Sequence, residues 1–401
     1  MKIRTLLLGS ILPLAVASSA LAATYDQGAT DKEIRIGQTV PMSGPIAFIG
    51  VSINKIQQGF WADVNAKGGI NGRSVVMLSR DDGYSPPKAV EATRKLVEED
   101  GVLADFGSVG TPTNAAKQRY MNTKKVPHLL ALTGSSRFQD AKQAKWTVGM
   151  FPNYLLEGAV YGRHILQTNP NAKIAVLYQN DDVGKDYIEG LRKALGAKAS
   201  IMLVKELSYE TTDPTVDSQV VQLAGTGANV FVNIASGKFA SQAIRKAADI
   251  GWKPSQYMLS SFSSVKSVLE PAGLDKAKGV MTAFAFKEPS DPTWANDPGV
   301  RDYLASMKRW APDVTPYDFT AVTTVAMLQL TEVVLRKAGD DLTHENILKQ
   351  TTTLKNQALP LLLPGVTFSL TPDNYAGFSK LRMARFNGER WELFGDLVGA
   401  D

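Results

Sequence analysis

Two hydrophobic patterns take turns along most of the chain. One alternates apolar and polar residues. The other repeats apolar residues every three or four positions. Glu33 to Val40 alternates and is rich in β-formers, which predicts a strand. Ile53, Ile56, Phe60 and Val64 follow at helical spacing and predict one buried helix face, which Gly68-Gly69-Ile70-Asn71-Gly72 stops. Ser74 to Arg80 predicts a second strand. Ser85 caps a second helix, started by Pro86 and running to about Glu99. Val102 to Phe106 predicts a third strand. Thr111 as N-cap and Pro112 as first residue open a third helix, and Val126 to Leu132 predicts a fourth strand.

The pattern then restarts. Lys173 to Tyr178 is a strand and Val183 to Leu195 a helix, and the alternation continues through Ile201 to Leu207, Pro214 to Ala224, Val230 to Ile234, Phe239 to Ile250 and Tyr257 to Leu259. Strands separated by helices give parallel sheets covered on both faces, so the expected class is α/β with two Rossmann-like halves. Phe151 to Gly158 lies between the halves. Open sheets of this kind collect ligands at their strand C-terminal ends, here across a shared cleft. Pro298 to Lys349 is long and strongly helical, and periodicity does not say on which half it packs.

Composition narrows the chemistry. At 44% apolar and 21% charged over 401 residues, the chain has enough apolar sequence for an ordinary globular core. With no cysteine there are no disulfides, thiolate metal sites or cysteine nucleophiles. His128, His164 and His344 stand far apart, so no metal site is expected. A net charge of +5 on this length gives no reason to expect a nucleic-acid partner. Lys2 and Arg4, the apolar run Thr5 to Val16 and Ala20-Leu21-Ala22 match an export signal cleaved after about Ala22, which predicts a periplasmic protein. Of the later stretches, Thr320 to Leu335 comes nearest to a membrane span, yet it carries Thr323, Thr324, Gln329 and Glu332.

Enzyme motifs are missing. Gly225-Thr226-Gly227 lacks the third glycine of a dinucleotide loop and precedes a strand, and Phe106-Gly107-Ser108-Val109-Gly110 lacks the first glycine of a nucleophile elbow. Asp81-Asp82 and Asp181-Asp182 stand at strand ends, where capping is the expected role. No catalytic residue and no cofactor are predicted.

The loops at the strand ends carry more. Met42 to Gly50 is long and contains Phe48 and Ile49. Ser108-Val109-Gly110-Thr111-Pro112 precedes a helix, whose N-terminal amides form a ready site for a carboxylate or phosphate, with Ser108 and Thr111 hydroxyls beside them. Thr133-Gly134-Ser135-Ser136 is a second hydroxyl-rich loop on the same edge. Opposite stand Asn180 to Gly184, with Asp182 and Val183, then Ala235 to Lys238, with Ser236, and Ser260 to Ser264 around Phe262. Phe48, Tyr84, Tyr154 and Phe262 are candidate walls for a flat or apolar ligand.

The Met42–Gly50 loop, the run at 68–73 and Asp-Asp-Gly-Tyr-Ser-Pro-Pro-Lys at 81–88, in that order, resemble the leucine/isoleucine/valine-binding protein family, the periplasmic substrate-binding proteins of ABC transporters. The resemblance spans the chain beyond residue 22. It implies a type I periplasmic binding fold: two lobes, 23–150 with 285–360 and 151–284 with 361–401, joined by a three-crossover hinge. By position it implies that Ser108, Thr133 and Ser135 hold a ligand carboxylate, and that Ile49 and Val183 stand where relatives place aromatic residues. It further implies an inner-membrane ABC permease as partner and a monomer.

One departure bears on the ligand. Amino-acid binders of the family tend to carry an acid after the strand that ends near Tyr257, to hold the α-ammonium. This chain has Ser260-Ser261-Phe262-Ser263-Ser264 there. An ammonium buried without its counter-charge costs ~3–5 kcal/mol, or two to three decades of affinity. Phe262 therefore favours a carboxylate without an amine. The runs at 107–114, 178–182 and 391–396 resemble the branch associated with aromatic acids. The alternatives are an amino-acid binder using Asp181 or Asp182, a ligand-sensing subunit of a membrane receptor, and a cleft hydrolase.

Overall fold

The computed structural model describes residues 23–399. The expected signal and its cleavage point at Ala22 lie outside them. The first sheet consists of β1 (Glu33–Val40), β2 (Ser74–Asp81), β3 (Ala104–Phe106), β4 (His128–Ala131) and β5 (Thr147–Gly149), all parallel, in the order β2-β1-β3-β4-β5. Helix α1 (Ala47–Ala66) buries Ile49, Ile53, Ile56, Phe60 and Val64, the stripe that the spacing predicts. Helix α2 (Pro86–Arg94) starts behind Ser85 and continues as a wider turn to Glu99, and α3 (Thr111–Lys124) follows β3.

The second sheet repeats the arrangement. Its strands are β6 (Ile174–Gln179), β7 (Leu203–Tyr209), β8 (Val230–Ile234), β9 (Ser255–Met258), β10 (Met281–Phe284), β11 (Lys380–Phe386) and β12 (Trp391–Gly399). The order is β12-β11-β10-β9-β8-β6-β7, with an antiparallel β11–β12 hairpin added to a parallel set. Helices α4 (Tyr154–Thr168), α5 (Asp182–Leu195), α6 (Asp217–Ala224) and α7 (Gly237–Asp249) link these strands. Ile201 does not belong to β7. It sits 79% exposed on a helical turn, Ala199–Met202, and the strand begins two residues later. Ile201-Met202-Leu203-Val204 is a continuous apolar run without a period, so spacing does not show where the strand begins.

Between β10 and β11 the chain leaves the second sheet and returns. Helices α8 (Pro298–Trp310) and α9 (Phe319–Ala338) pack on α1, so they cover the first sheet, and α10 (His344–Thr352) packs on α9. The chain therefore passes between the sheets three times. The outgoing and returning passes touch: Phe286 pairs with Leu362, Lys287 N–H donates to Leu361 O at 2.7 Å, and Leu363 N–H to Ala285 O at 3.0 Å. Among the described residues α9 alone is long and apolar enough to cross a membrane, but most of it is buried as a core helix.

Each sheet reverses its strand order once, at β1 beside β3 and at β6 beside β8. At such a switch point neighbouring connections run to opposite faces and leave a crevice outside the strand C-termini. The two crevices face the same space, and the loops there carry the site.

Candidate ligand-binding cleft

A cleft with ≈ 470 Å³ of empty space, part of it open to solvent, lies where both sheets end. The first sheet and its helices supply Ile46, Ile49 and Ile53, Tyr84, Val109 to Thr111, Leu132, and Phe319, Thr320 and Thr323. The other wall is Phe151 and Tyr154, at the first pass between sheets, with Val183, Ser261 and Phe262. Every one of these residues is uncharged. A largely apolar concavity with a few placed polar groups is what a small-ligand site requires.

Ile46, Ile49 and Ile53 recur at i, i+3 and i+7 and so share one face. Phe48, on the neighbouring face, packs partly buried against the core and does not line the cavity. The turn Asp82-Gly83-Tyr84 delivers an aromatic ring. Asp82 Oδ1 accepts the Tyr84 N–H at 2.9 Å, and Tyr84 holds φ 60°. Its hydroxyl accepts from Gln179 Nε2 at 3.2 Å, across from the second sheet. Burial pushes the Tyr84 phenol well above its ordinary pKa and that of Tyr154 upward as well, so both line the cavity as neutral groups.

One end of the cavity is the start of α3. The expected cap, Thr111, is instead its first residue. Gly110 is the N-cap, at φ 98°, and no side chain caps the helix. First-turn amides have no acceptor within their helix, and Pro112 has no N–H, so Thr111 and Thr113 present the free donors. Gly110 is required here: a Cβ would stand 2.6 Å from the Tyr84 ring and 2.7 Å from Thr113 Oγ1. Thr111 Oγ1 lies 2.7 Å from Thr133 Oγ1, and the Tyr154 phenol stands beside this pair.

Ser108 stands elsewhere. Its hydroxyl donates to Asp105 Oδ1 at 2.6 Å and accepts from Lys117 Nζ at 2.6 Å and from the Thr39 N–H at 2.8 Å. Lys117 also bonds Asp105 Oδ2 at 2.7 Å, all of it buried beneath the loop. Burial pushes the Asp105 carboxyl up, and the Lys117 ammonium more than offsets this and leaves it below the ordinary range. Burial lowers Lys117. His128, next to the cluster, is pushed down by burial to about 3 and stays neutral.

The other expected residues brace the cleft rather than line it. Thr133 is fully buried behind Thr111. Gly134 O accepts the Tyr154 N–H at 2.9 Å. Ser135 caps the turn Ser136–Phe138. Ser236 Oγ bonds Gln179 Oε1 at 2.6 Å and Tyr209 Oη at 3.1 Å. Asp182 is held by Arg137 Nε at 2.6 Å, and Asp181 caps α5 through the Val183 N–H while accepting from Gln179. Asp81 accepts three backbone N–H groups, from Met42, Ser43 and Gly83. Both acidic pairs thus serve the backbone or an ion pair. Of the residues the sequence proposes, Ile49, Tyr84, Thr111, Tyr154, Val183 and Phe262 line the cavity. Sequence reasoning missed Ile46 and Ile53, although they share the face of Ile49. Nothing local marked Phe319, Thr320 and Thr323, which arrive from a helix about 200 residues downstream.

Two parallel-dominated sheets, three passes between them and a cleft at their facing ends define a two-lobed binding protein of the type I periplasmic class. The chain belongs to the periplasmic binding protein family, whose model matches residues 33–389. It is 24% identical over 264 residues to Leu/Ile/Val-binding protein homolog 8 of Brucella suis biovar 1, a match covering 63% of each chain. The chain thus matches a little under two thirds of that relative's length. A branched chain amino acid ABC transporter protein from Thermus thermophilus with bound valine superposes at TM-score 0.80 and 15% identity, covering 92% of this chain and 97% of the other. An ABC transporter solute binding protein from R. palustris in complex with benzoate gives TM-score 0.76 and 19% identity, covering 91% and 97%.

Proposed function

We propose that this protein is an exported solute-binding protein that captures a small carboxylate, an aromatic acid, between its lobes. It then delivers the ligand to an inner-membrane ABC permease. The observation that carries the ligand class is the charge-free cavity joined to the uncapped start of α3. The Thr111 and Thr113 amides receive the carboxylate, with the Thr111–Thr133 pair beside them. Ile49, Tyr84, Tyr154, Val183 and Phe262 enclose the ring. Asp181 and Asp182 are engaged elsewhere, so an α-ammonium would meet no free counter-charge, which weighs against an amino acid. Lobe 1 comprises 23–150 with 285–360 and lobe 2 comprises 151–284 with 361–401. The chain works as a periplasmic monomer after removal of residues 1–22. Binding alone, without turnover, is its activity. Because the ligand touches both lobes, it favours the closed arrangement over the open one.

A thermal-shift panel of branched-chain amino acids, benzoates, hydroxycinnamates and short aliphatic acids tests this. A ligand confined to the native state adds ~2.7 kcal/mol at 100 times its dissociation constant. Aromatic acids should raise Tm and leucine should not. A rise with leucine or valine alone would overturn the reading.

A further inference from the structure

The turn Ser260–Phe262 and the two residues after it contain four serines, and three of them have structural employment. Ser260 donates its N–H and its hydroxyl to the buried Glu157 carboxylate, both at 2.9 Å. Ser263 Oγ donates to Ser260 O at 2.7 Å, and Ser264 Oγ to Asp318 Oδ2 at 2.8 Å. Ser261 is different. It lines the cavity, and its Oγ is buried with no hydrogen-bond partner among the described residues. Of the other cavity hydroxyls, those of Thr111, Thr323 and Tyr84 have hydrogen-bond partners.

A buried hydroxyl without a partner carries an uncompensated desolvation penalty, so such groups in native proteins call for an explanation. The position of this one supplies it. Ser261 comes from the lobe opposite the α3 amides, beside Phe262. We infer that Ser261 selects the ligand: it hydrogen bonds a ring hydroxyl or similar polar substituent, so the preferred ligand is a hydroxylated aromatic acid rather than a bare ring. The inference rests on the carboxylate reading above. It gives the second lobe a polar contact of its own with the ligand, alongside the apolar ones of Val183 and Phe262. A site built to hydrogen bond a substituent rejects the analogue lacking it, because its own polar group is then left unpaired.

The test is calorimetric titration of the wild-type chain and Ser261→Ala with benzoate, 3-hydroxybenzoate and 4-hydroxybenzoate. In the wild type one of the hydroxylated acids should bind about tenfold tighter than benzoate, the gain of one neutral hydrogen bond. In Ser261→Ala that gain should vanish, while benzoate binds as well as before or better. Tm without ligand should be unchanged or higher, since the variant loses an unpaired hydroxyl. Benzoate binding with no hydroxyl preference in the wild type would mean that water serves Ser261, and would overturn this inference alone. An equal preference in both proteins would assign the selection to another residue and also overturn it. Failure of all three acids would overturn the carboxylate reading, and this inference with it.

Discussion

Gly237, at the start of α7, lies directly against Pro45 of the β1–α1 loop. A Cβ on Gly237 would stand 2.8 Å from Pro45 O and 2.8 Å from Ile46 Cγ2, and the residue holds φ 48°. The second sheet approaches the first here through bare backbone, beside the isoleucine that lines the cavity. Gly237→Ala should therefore act as a wedge. The left-handed φ costs alanine ~1–2 kcal/mol in either arrangement, whereas the contact with Pro45 exists only when the lobes are together. Ligand affinity should fall more than tenfold, and small-angle scattering should show a ligand-saturated variant more extended than wild type. Equal compaction of the two would remove this contact from closure.

A second pair of contacts holds the lobes together on the other side. Asp186 accepts the Ser136 N–H at 2.7 Å and the Ser136 hydroxyl at 2.9 Å, and Arg137 pairs with Asp182 at 2.6 Å. The two links should differ in strength. The Arg137 side chain is about half exposed, and such ion pairs contribute ~0–1 kcal/mol. Asp186 is more buried, and its carboxylate accepts two bonds from Ser136; bonds to a charged group are worth ~1.5–3 kcal/mol each. Asp186→Ala should therefore speed ligand release in stopped flow by more than tenfold, and Asp182→Ala by less than fivefold. The reverse order would show that the exposed pair controls opening.

Much of this arrangement can be read along the chain, because both sheets are built from local periodicity. The strand Val230–Ile234 and the buried face of α1 emerge from spacing alone. The cleft is less readable because its polar residues differ in direction, not in type. Ser108 and Thr111 are both hydroxyls in one short loop, but the turn at Gly110 sends Thr111 to the cavity and leaves Ser108 facing Lys117. Lys117 itself resembles any helix-surface lysine in the sequence, and only the fold shows that it has no exposure. Phe48 and Ile49 are neighbours on α1, yet one helical step separates core from cavity. Ser261 differs from Ser260, Ser263 and Ser264 only by lacking a partner, which three-dimensional contacts alone decide.

The Lys117 cluster leads to a prediction about stability. Its ammonium, the Asp105 carboxylate and the Ser108 hydroxyl are all buried, and they tie α3 to β3 and, through Thr39, to β1. Removing one member of a buried pair strands the other charge. Lys117→Met should cost about 3–5 kcal/mol in urea denaturation, and Lys117→Met with Asp105→Leu should cost less than Lys117→Met alone. Ser108→Ala should behave as a milder version of the same defect, lowering Tm with and without ligand. If Ser108→Ala instead leaves Tm unchanged and weakens carboxylates, the hydroxyl reaches the ligand in solution.

Glu288 adds a pH dependence. It is buried just beyond the second pass between the sheets, and its Oε1 accepts from Ser290 N–H at 3.1 Å and Ser290 Oγ at 2.9 Å. Burial raises its carboxyl from the ordinary 4.5 to about 7. The Ser290 bonds oppose the shift, and the Asp318 and Asp291 charges add to it. Lys287, next in sequence, is committed to Asp297 at 2.7 Å. Between pH 4.5 and 7 the folded chain keeps a proton that the unfolded chain has released. Stability from this group is therefore complete below 4.5, falls as pH rises through 7, and is level above it. The full swing is at most about 3 kcal/mol. Glu288→Gln keeps an acceptor for Ser290 and removes the titration. Its stability relative to wild type should therefore climb between pH 5 and pH 8, whatever constant offset the amide introduces. Denaturation curves at the two pH values that shift in parallel for both proteins would show that Glu288 is solvated in solution and titrates as an ordinary surface carboxylate.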